Sequence, residues 1–154
     1  METGVMKGLL EYYKTWMKLE ERDANTYSPL VLAYVGDAVY EVLVRAKVVN
    51  AGSIQVNKLH KHSSGLVCAG TQAEMIKLLL PQLRDEETAV FKRGRNAKSV
   101  TSAKNASITD YRLATGFEAL LGWLFLSEQF ERLIFLVSQG LEKIGEIQSC
   151  DTKN

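Results

Sequence analysis

Two apolar runs, each long enough for a helix and each holding a single acid, constrain this chain more than anything else in it. The first is Leu30-Val31-Leu32-Ala33-Tyr34-Val35-Gly36-Asp37-Ala38-Val39-Tyr40, where Asp37 is the only charge. The second runs from Leu113 to Leu126, where Glu118 is the only charge. A helix that is hydrophobic on all sides is buried, so both runs are expected at the centre of the fold. An unpaired carboxylate buried there costs several kcal/mol, and must be met by a proton, a cation or a partner. Two central helices with one acid each suggest that Asp37 and Glu118 face each other and hold a metal. Carboxylate oxygens and water suit Mg²⁺, usually held by one or two carboxylates plus substrate phosphate. Ion pairs with residues such as Arg45 or Arg112 are the alternative. Gly36, Gly116 and Gly122 each cost a helix about 1 kcal/mol relative to alanine, and are best explained by close helix packing or ligand approach. Glu41 shares the Asp37 face, but it also sits four residues before Arg45, an ordinary surface pair.

The remaining periodicity is helical as well. With two prolines in 154 residues and no alternating run of any length, the chain is expected to be all-α, with about seven helices in one domain spanning residues 1–154. An amphipathic segment covers about Met6 to Leu19. Ser28 caps a long helix with Pro29 at its first position, running from Leu30 to about Val49 and stopped by Asn50-Ala51-Gly52. Ser53 opens a short helix to about His60, and another runs from Ser64 to Leu80, ahead of Pro81. Asp85-Glu86-Glu87 starts a helix whose acids suit its dipole, and Gly94 is expected to end it. Arg95 to Ser107 reads as an exposed basic loop. Helices from about Thr109 to Leu126 and from about Gln129 to Ile147 complete the series. Trp123 and Phe125 are expected in the core, and Cys68 as a buried small hydrophobe.

A chain of this length needs neither disulfides nor a structural metal to fold. Cys68 and Cys150 match no paired-ligand spacing, which argues against a zinc module. No apolar run is long enough to span a bilayer, and the acid-studded N-terminus is no signal peptide, so a cytoplasmic protein is expected. The net charge of +1 conceals a division along the chain. Residues 42–112 carry twelve bases against five acids, while both flanking segments are acidic. A polyanion could be held by that middle segment, although a solvated charged face is the plainer explanation.

Several stretches together resemble a known family. Val35-Gly36-Asp37-Ala38-Val39 resembles the signature helix of the ribonuclease III family, and Phe117-Glu118-Ala119-Leu120-Leu121-Gly122 resembles its second acidic motif. The likeness continues through Leu59-His60-Lys61-His62-Ser63-Ser64, Gln72-Ala73-Glu74, Lys92-Arg93-Gly94-Arg95-Asn96-Ala97-Lys98-Ser99 and Tyr111-Arg112. It covers about residues 28–145 and is similar to the Mini-III branch, whose members lack the family's double-stranded-RNA-binding domain. Two of the family's four acids are replaced, by Ala33 and Thr115, so only Asp37 and Glu118 are carried over as catalytic metal ligands.

The resemblance implies a metal-dependent endoribonuclease, using Mg²⁺ with Mn²⁺ as a substitute. It would cut both strands of double-stranded or structured RNA and leave 5′-phosphates with short 3′ overhangs. It also implies maturation of the large-subunit ribosomal RNA precursor, with a ribosomal protein as a possible partner, and a homodimer with Tyr34 at its interface. Without a separate binding domain the duplex must be gripped by the nuclease domain itself. Lys92, Arg93, Arg95, Asn96, Lys98 and Lys104 are the expected contacts, with His60 and Lys61 near phosphate. Tyr111 and Arg112 could touch backbone or cap the core. Two other classes stay open: a non-catalytic RNA-binding ribosome-assembly protein, and a phosphohydrolase acting on small metabolites.

Overall fold

Helix α6, Ile108–Leu126, forms the axis of the molecule, and its sequence explains why. Ala114, Phe117, Ala119, Leu120, Leu121, Trp123 and Leu124 point in every direction around it and are all buried. Such a helix is stable only when neighbours cover it on all sides. In this computed structural model, which describes residues 4–98 and 107–147, α2 (Pro29–Val49), α4 (Ala69–Leu79), α5 (Asp85–Asn96) and α7 (Phe130–Lys143) all pack against α6. Helix α3, Val56–Val67, lies against α2 and α4. Helix α1, Gly4–Trp16, adds little to the core: its Leu9, Tyr12, Tyr13 and Trp16 are exposed, and Lys14 ties it to the body by an ion pair with Glu128 at 3.1 Å. The described residues contain no strand, and the all-α expectation is met.

Local chemistry sets several of the helix ends. Ser28 Oγ accepts the Val31 N–H, and Pro29 occupies the first turn of α2, where a missing N–H costs nothing. Ser107 Oγ accepts the Asp110 N–H at 3.0 Å and opens α6. At the start of α5 the Glu87 carboxylate accepts the Arg84 N–H at 2.8 Å. That same buried carboxylate forms a two-pronged ion pair with Arg132 of α7, whose guanidinium also donates to the Gln82 carbonyl.

Four expectations need correction. The predicted break between His60 and Ser64 does not exist. Instead α3 runs unbroken to Val67, and Cys68 is the extended residue between α3 and α4. Its position is fixed by side chains of α4 that take the last carbonyls of α3: Thr71 Oγ1 donates to Gly65 O at 2.6 Å, and Gln72 Nε2 to Val67 O at 2.9 Å. Cys68 at that junction is exposed rather than buried. Gly94 does not stop α5, because it serves a helix crossing, and Arg95 and Asn96 are its last helical residues rather than the start of a loop. Finally, α2 is not covered on all sides. Leu32, Ala33, Gly36, Tyr40, Val44 and Val48 are buried, whereas Val31, Tyr34, Ala38 and Val42 form an open face.

Candidate active site

Two glycines let α2 and α6 touch backbone to backbone. A Cβ placed on Gly36 would collide with the Glu118 carbonyl oxygen, and one on Gly122 would collide with the Leu32 carbonyl oxygen. This close approach sets the residue after Gly36, Asp37, beside Glu118 across the crossing. The expectation that these glycines serve packing holds here, and for Gly116 too, whose Cβ would lie 2.7 Å from the Phe91 ring.

The two acids share a field without a counter-charge among the described residues. Burial, followed by the neighbouring Asp37 charge, pushes Glu118 up to about 8. Asp37 stands at the solvent side of the pair, and its pKa is raised by partial burial and then by Glu41. Neither acid has an ion-pair partner among the described residues. Arg45, one of the alternatives read from sequence, is held instead by Glu41, whose Oε1 accepts from its Nε at 3.0 Å and its Nη2 at 2.8 Å. Arg112, the other, is exposed on α6. The two positions where family acids are replaced add no charge: Ala33 is buried, and the Thr115 hydroxyl donates to the Tyr111 carbonyl at 2.9 Å.

A third group lies at this site, one that the sequence places in the family likeness as part of Gln72-Ala73-Glu74 but to which it assigns no role. Gln72 of α4 is buried, and its side-chain amide lies close enough to the Glu118 carboxylate to favour its charged form. Its Oε1 is the one buried side-chain polar atom without a partner among the described residues. The signal is nonetheless present: Gln72, Met75, Ile76 and Leu79 follow the spacing of a buried helix face, and an amide in that stripe is out of place.

Two carboxylates of like charge, with no balancing cation among the described residues and an oxygen-bearing amide nearby, fit a hard, oxygen-seeking divalent ion. No group of three or more His, Cys, Asp or Glu side chains is gathered among the described residues. The site therefore suits an ion that keeps most of its own water and shares the rest of its shell with substrate, as Mg²⁺ does.

The basic residues expected to hold RNA sit beside this pair and also elsewhere. Helix α5 crosses α6 through Gly94, whose Cβ would lie 2.7 Å from Ala119 Cβ and 2.9 Å from Gly116 Cα, within a turn of Glu118. Lys92, Arg93 and Asn96 are exposed on α5, and Lys98 just after it. Arg95 lies over the Phe91 ring, 5.6 Å from its centre, and donates through Nε to Asn96 Oδ1. Lys104 lies outside the described residues. His60 and Lys61 are both exposed on α3 but open into different hollows. His60 lines one with Arg45, Val49 and Val56, and Lys61 another with Lys58, His62 and Glu146. Tyr34 stands one helical turn before Asp37 and is 81% exposed.

An all-helical domain whose central crossing brings two acids near each other is the arrangement on which the comparison with known proteins bears. Residues 30–129 match the Ribonuclease III domain, and the chain belongs to that family. The Mini-ribonuclease 3 of Enterococcus faecalis is 46% identical over 127 residues, covering 81% of this chain and 96% of that protein. The Mini-ribonuclease 3 of Brevibacillus brevis is 50% identical over 125 residues, covering 80% of this chain and 93% of the other. A Fusobacterium nucleatum protein solved by X-ray crystallography superposes with a TM-score of 0.72 at 25% identity, over 80% of this chain and 94% of that one. Within the family the chain falls in the Mini-ribonuclease 3 branch, and it is an endoribonuclease of that type. No helix among the described residues is long and apolar enough to cross a membrane.

Proposed function

We propose that this endoribonuclease cuts both strands of double-stranded RNA by metal-dependent phosphodiester hydrolysis, with Asp37 and Glu118 as the metal ligands. One observation carries the reading: two acids come together at the Gly36–Glu118 crossing, and Glu118 is raised to about 8 with no cation beside it among the described residues. A divalent ion bound there, Mg²⁺ or Mn²⁺, would supply charge neutralisation at the phosphate and an acidified water. The chain's own part is to hold the two carboxylates at a fixed crossing and to orient the duplex over them. Lys92, Arg93, Arg95, Asn96 and Lys98, on and just after α5, grip phosphates and 2′-hydroxyls, which are what an RNA duplex presents. Lys104 extends this grip, and His60 and Lys61 of α3 meet phosphate further along the duplex.

The active unit is a homodimer joined through the open face of α2, with Tyr34 at the contact. One acid pair cuts one strand, so a double cut takes two copies. The substrate is the large-subunit ribosomal RNA precursor in the cytoplasm, presented with a ribosomal protein.

The test is cleavage of a long double-stranded RNA by purified protein, in Mg²⁺ and in chelator, beside Asp37→Asn and Glu118→Gln. Cutting that needs metal and is lost in both variants is the expected result. Cutting in chelator, or in both variants, would remove the two acids from the chemistry. Specific binding without cutting, on a duplex and on a ribosomal RNA precursor alike, would make the chain an RNA-binding assembly protein.

A further inference from the structure

We propose that Gln72 is a positioning residue that holds the Glu118 carboxylate in the orientation in which it binds metal. The inference rests on the reading of Asp37 and Glu118 as metal ligands and adds a third residue, from a third helix, to that site.

Gln72 is 2% exposed and occupies a core position of α4, in line with Met75, Ile76 and Leu79. A leucine or methionine would fill that place without stranding a polar atom. An amide has two N–H donors and an oxygen acceptor. Here one end is anchored, because Nε2 donates to Val67 O at 2.9 Å and caps the last turn of α3. Capping alone does not account for the residue, since its buried oxygen goes without a partner and the amide lies beside the Glu118 carboxylate, whose charged form it favours. Held at the α3–α4 junction on a helix that packs against α6, the amide stands between the α3 backbone and the acid. Polar groups just behind a metal's own ligands orient those ligands and tune their affinity. Asp37 has no such support, so the fixed half of the pair is Glu118.

The experiment replaces Gln72 with leucine and, separately, with methionine, which keep the volume and remove the amide. Mn²⁺ binding to RNA-free protein is read by calorimetry, together with the Mg²⁺ concentration for half-maximal cleavage, RNA affinity in chelator, and the melting temperature without metal. Both variants are expected to bind Mn²⁺ about 10- to 100-fold more weakly, the usual effect of losing such a support. Their half-saturating Mg²⁺ should rise in step and RNA affinity should stay at the wild-type level, while metal-free melting falls by no more than about 2–4 °C, which is what losing the Val67 hydrogen bond costs a domain of this size. Mn²⁺ affinity within about twofold of wild type, far short of the 10- to 100-fold loss of an orienting partner, would overturn the proposal. So would a metal-free melting temperature that collapses in both variants, which would make Gln72 a structural residue. Asp37→Asn and Glu118→Gln run alongside. If they keep Mn²⁺ affinity, the metal-site reading itself falls; if they lose it while the Gln72 variants do not, only the positioning role falls.

Discussion

A glutamate raised to about 8 makes the stability of the metal-free protein depend on pH. The ordinary value for Glu118 is 4.5, so between these limits the folded chain keeps a proton that the unfolded chain releases. Stability contributed by this group is therefore full below about 4.5 and lost as the pH rises through about 8, the direction linkage requires when the native state binds more protons. Metal-free protein is expected to melt several degrees lower at pH 8.5 than at pH 5 from this source. Glu118→Gln, with nothing to ionise, should flatten that slope, and added Mg²⁺ should raise the wild-type melting temperature more at pH 8.5 than at pH 5. Thermal unfolding by circular dichroism at both pH values checks this; an equal slope in wild type and variant would remove Glu118 as its source. The same residues show what the sequence can disclose at this scale. Asp37 and Glu118 stand out because each is the lone charge in an apolar run. That they meet follows from pattern as an inference and is explained by the Gly36 and Gly122 contacts. Gln72 is quoted in the family likeness but receives no role, because an uncharged amide breaks a hydrophobic stripe less visibly than a charge does.

At the scale of elements, the decisive features are two helix crossings with no room for a Cβ. Gly36→Ala would drive a methyl group into the Glu118 backbone, and a carbonyl in the middle of a buried helix cannot step aside. Overpacking of this kind costs about 1–3 kcal/mol, and each kcal/mol lowers the melting point of a domain this size by about 2–4 °C. Because the relief is for α2 to lift away from α6, cleavage should fall further than stability does. Gly65→Ala is the control: it sits inside α3 with nothing within 4 Å of the added methyl, and should be neutral or stabilising by about 0.5–1 kcal/mol. Melting curves and cleavage rates of the two variants, side by side, decide it. The α5 crossing makes a separate prediction. Arg93→Gln with Arg95→Gln should weaken RNA binding and lower the slope of log affinity against log salt by about 1 for each phosphate no longer neutralised. An unchanged slope would take α5 off the RNA. Helix ends are legible where the local chain sets them, as at Ser28-Pro29 and the Asp85-Glu86-Glu87 opening of α5. They are misread where a distant side chain sets them, as Thr71 and Gln72 do for α3. Gly94 misleads for a similar reason: a glycine kept for a neighbouring helix looks, in sequence, like one that ends its own.

For the whole molecule, the open face of α2 poses the remaining question. Tyr34 at 81% and Val42 at 66% exposure share that face with Val31 and Ala38, while the opposite face is the tightest contact in the structure. Its apolar sequence predicts that α2 is covered on all sides, and in one copy of the chain it is not. A second copy would resolve the mismatch. A two-fold dimer applies the same patch to itself, which would bury Tyr34 and Val42 and make the sequence expectation correct for the dimer. Glu41 and Arg45, paired at 2.8 Å beyond the apolar residues, would form part of a polar rim. The expected mass in solution, by light scattering after size exclusion, is therefore twice the 17.2 kDa of the chain. Tyr34→Asp with Val42→Glu should give single copies of unchanged helical content, because both side chains already face outward and neither contributes to the core. Those single copies should retain the metal affinity of the Asp37–Glu118 pair and yet cut duplex RNA poorly, in one strand at a time, as nicks on a strand-labelled substrate would reveal. A wild-type protein that runs at 17.2 kDa and still makes paired cuts would show that one copy suffices, and would leave the exposed tyrosine beside Asp37 free to meet the RNA instead.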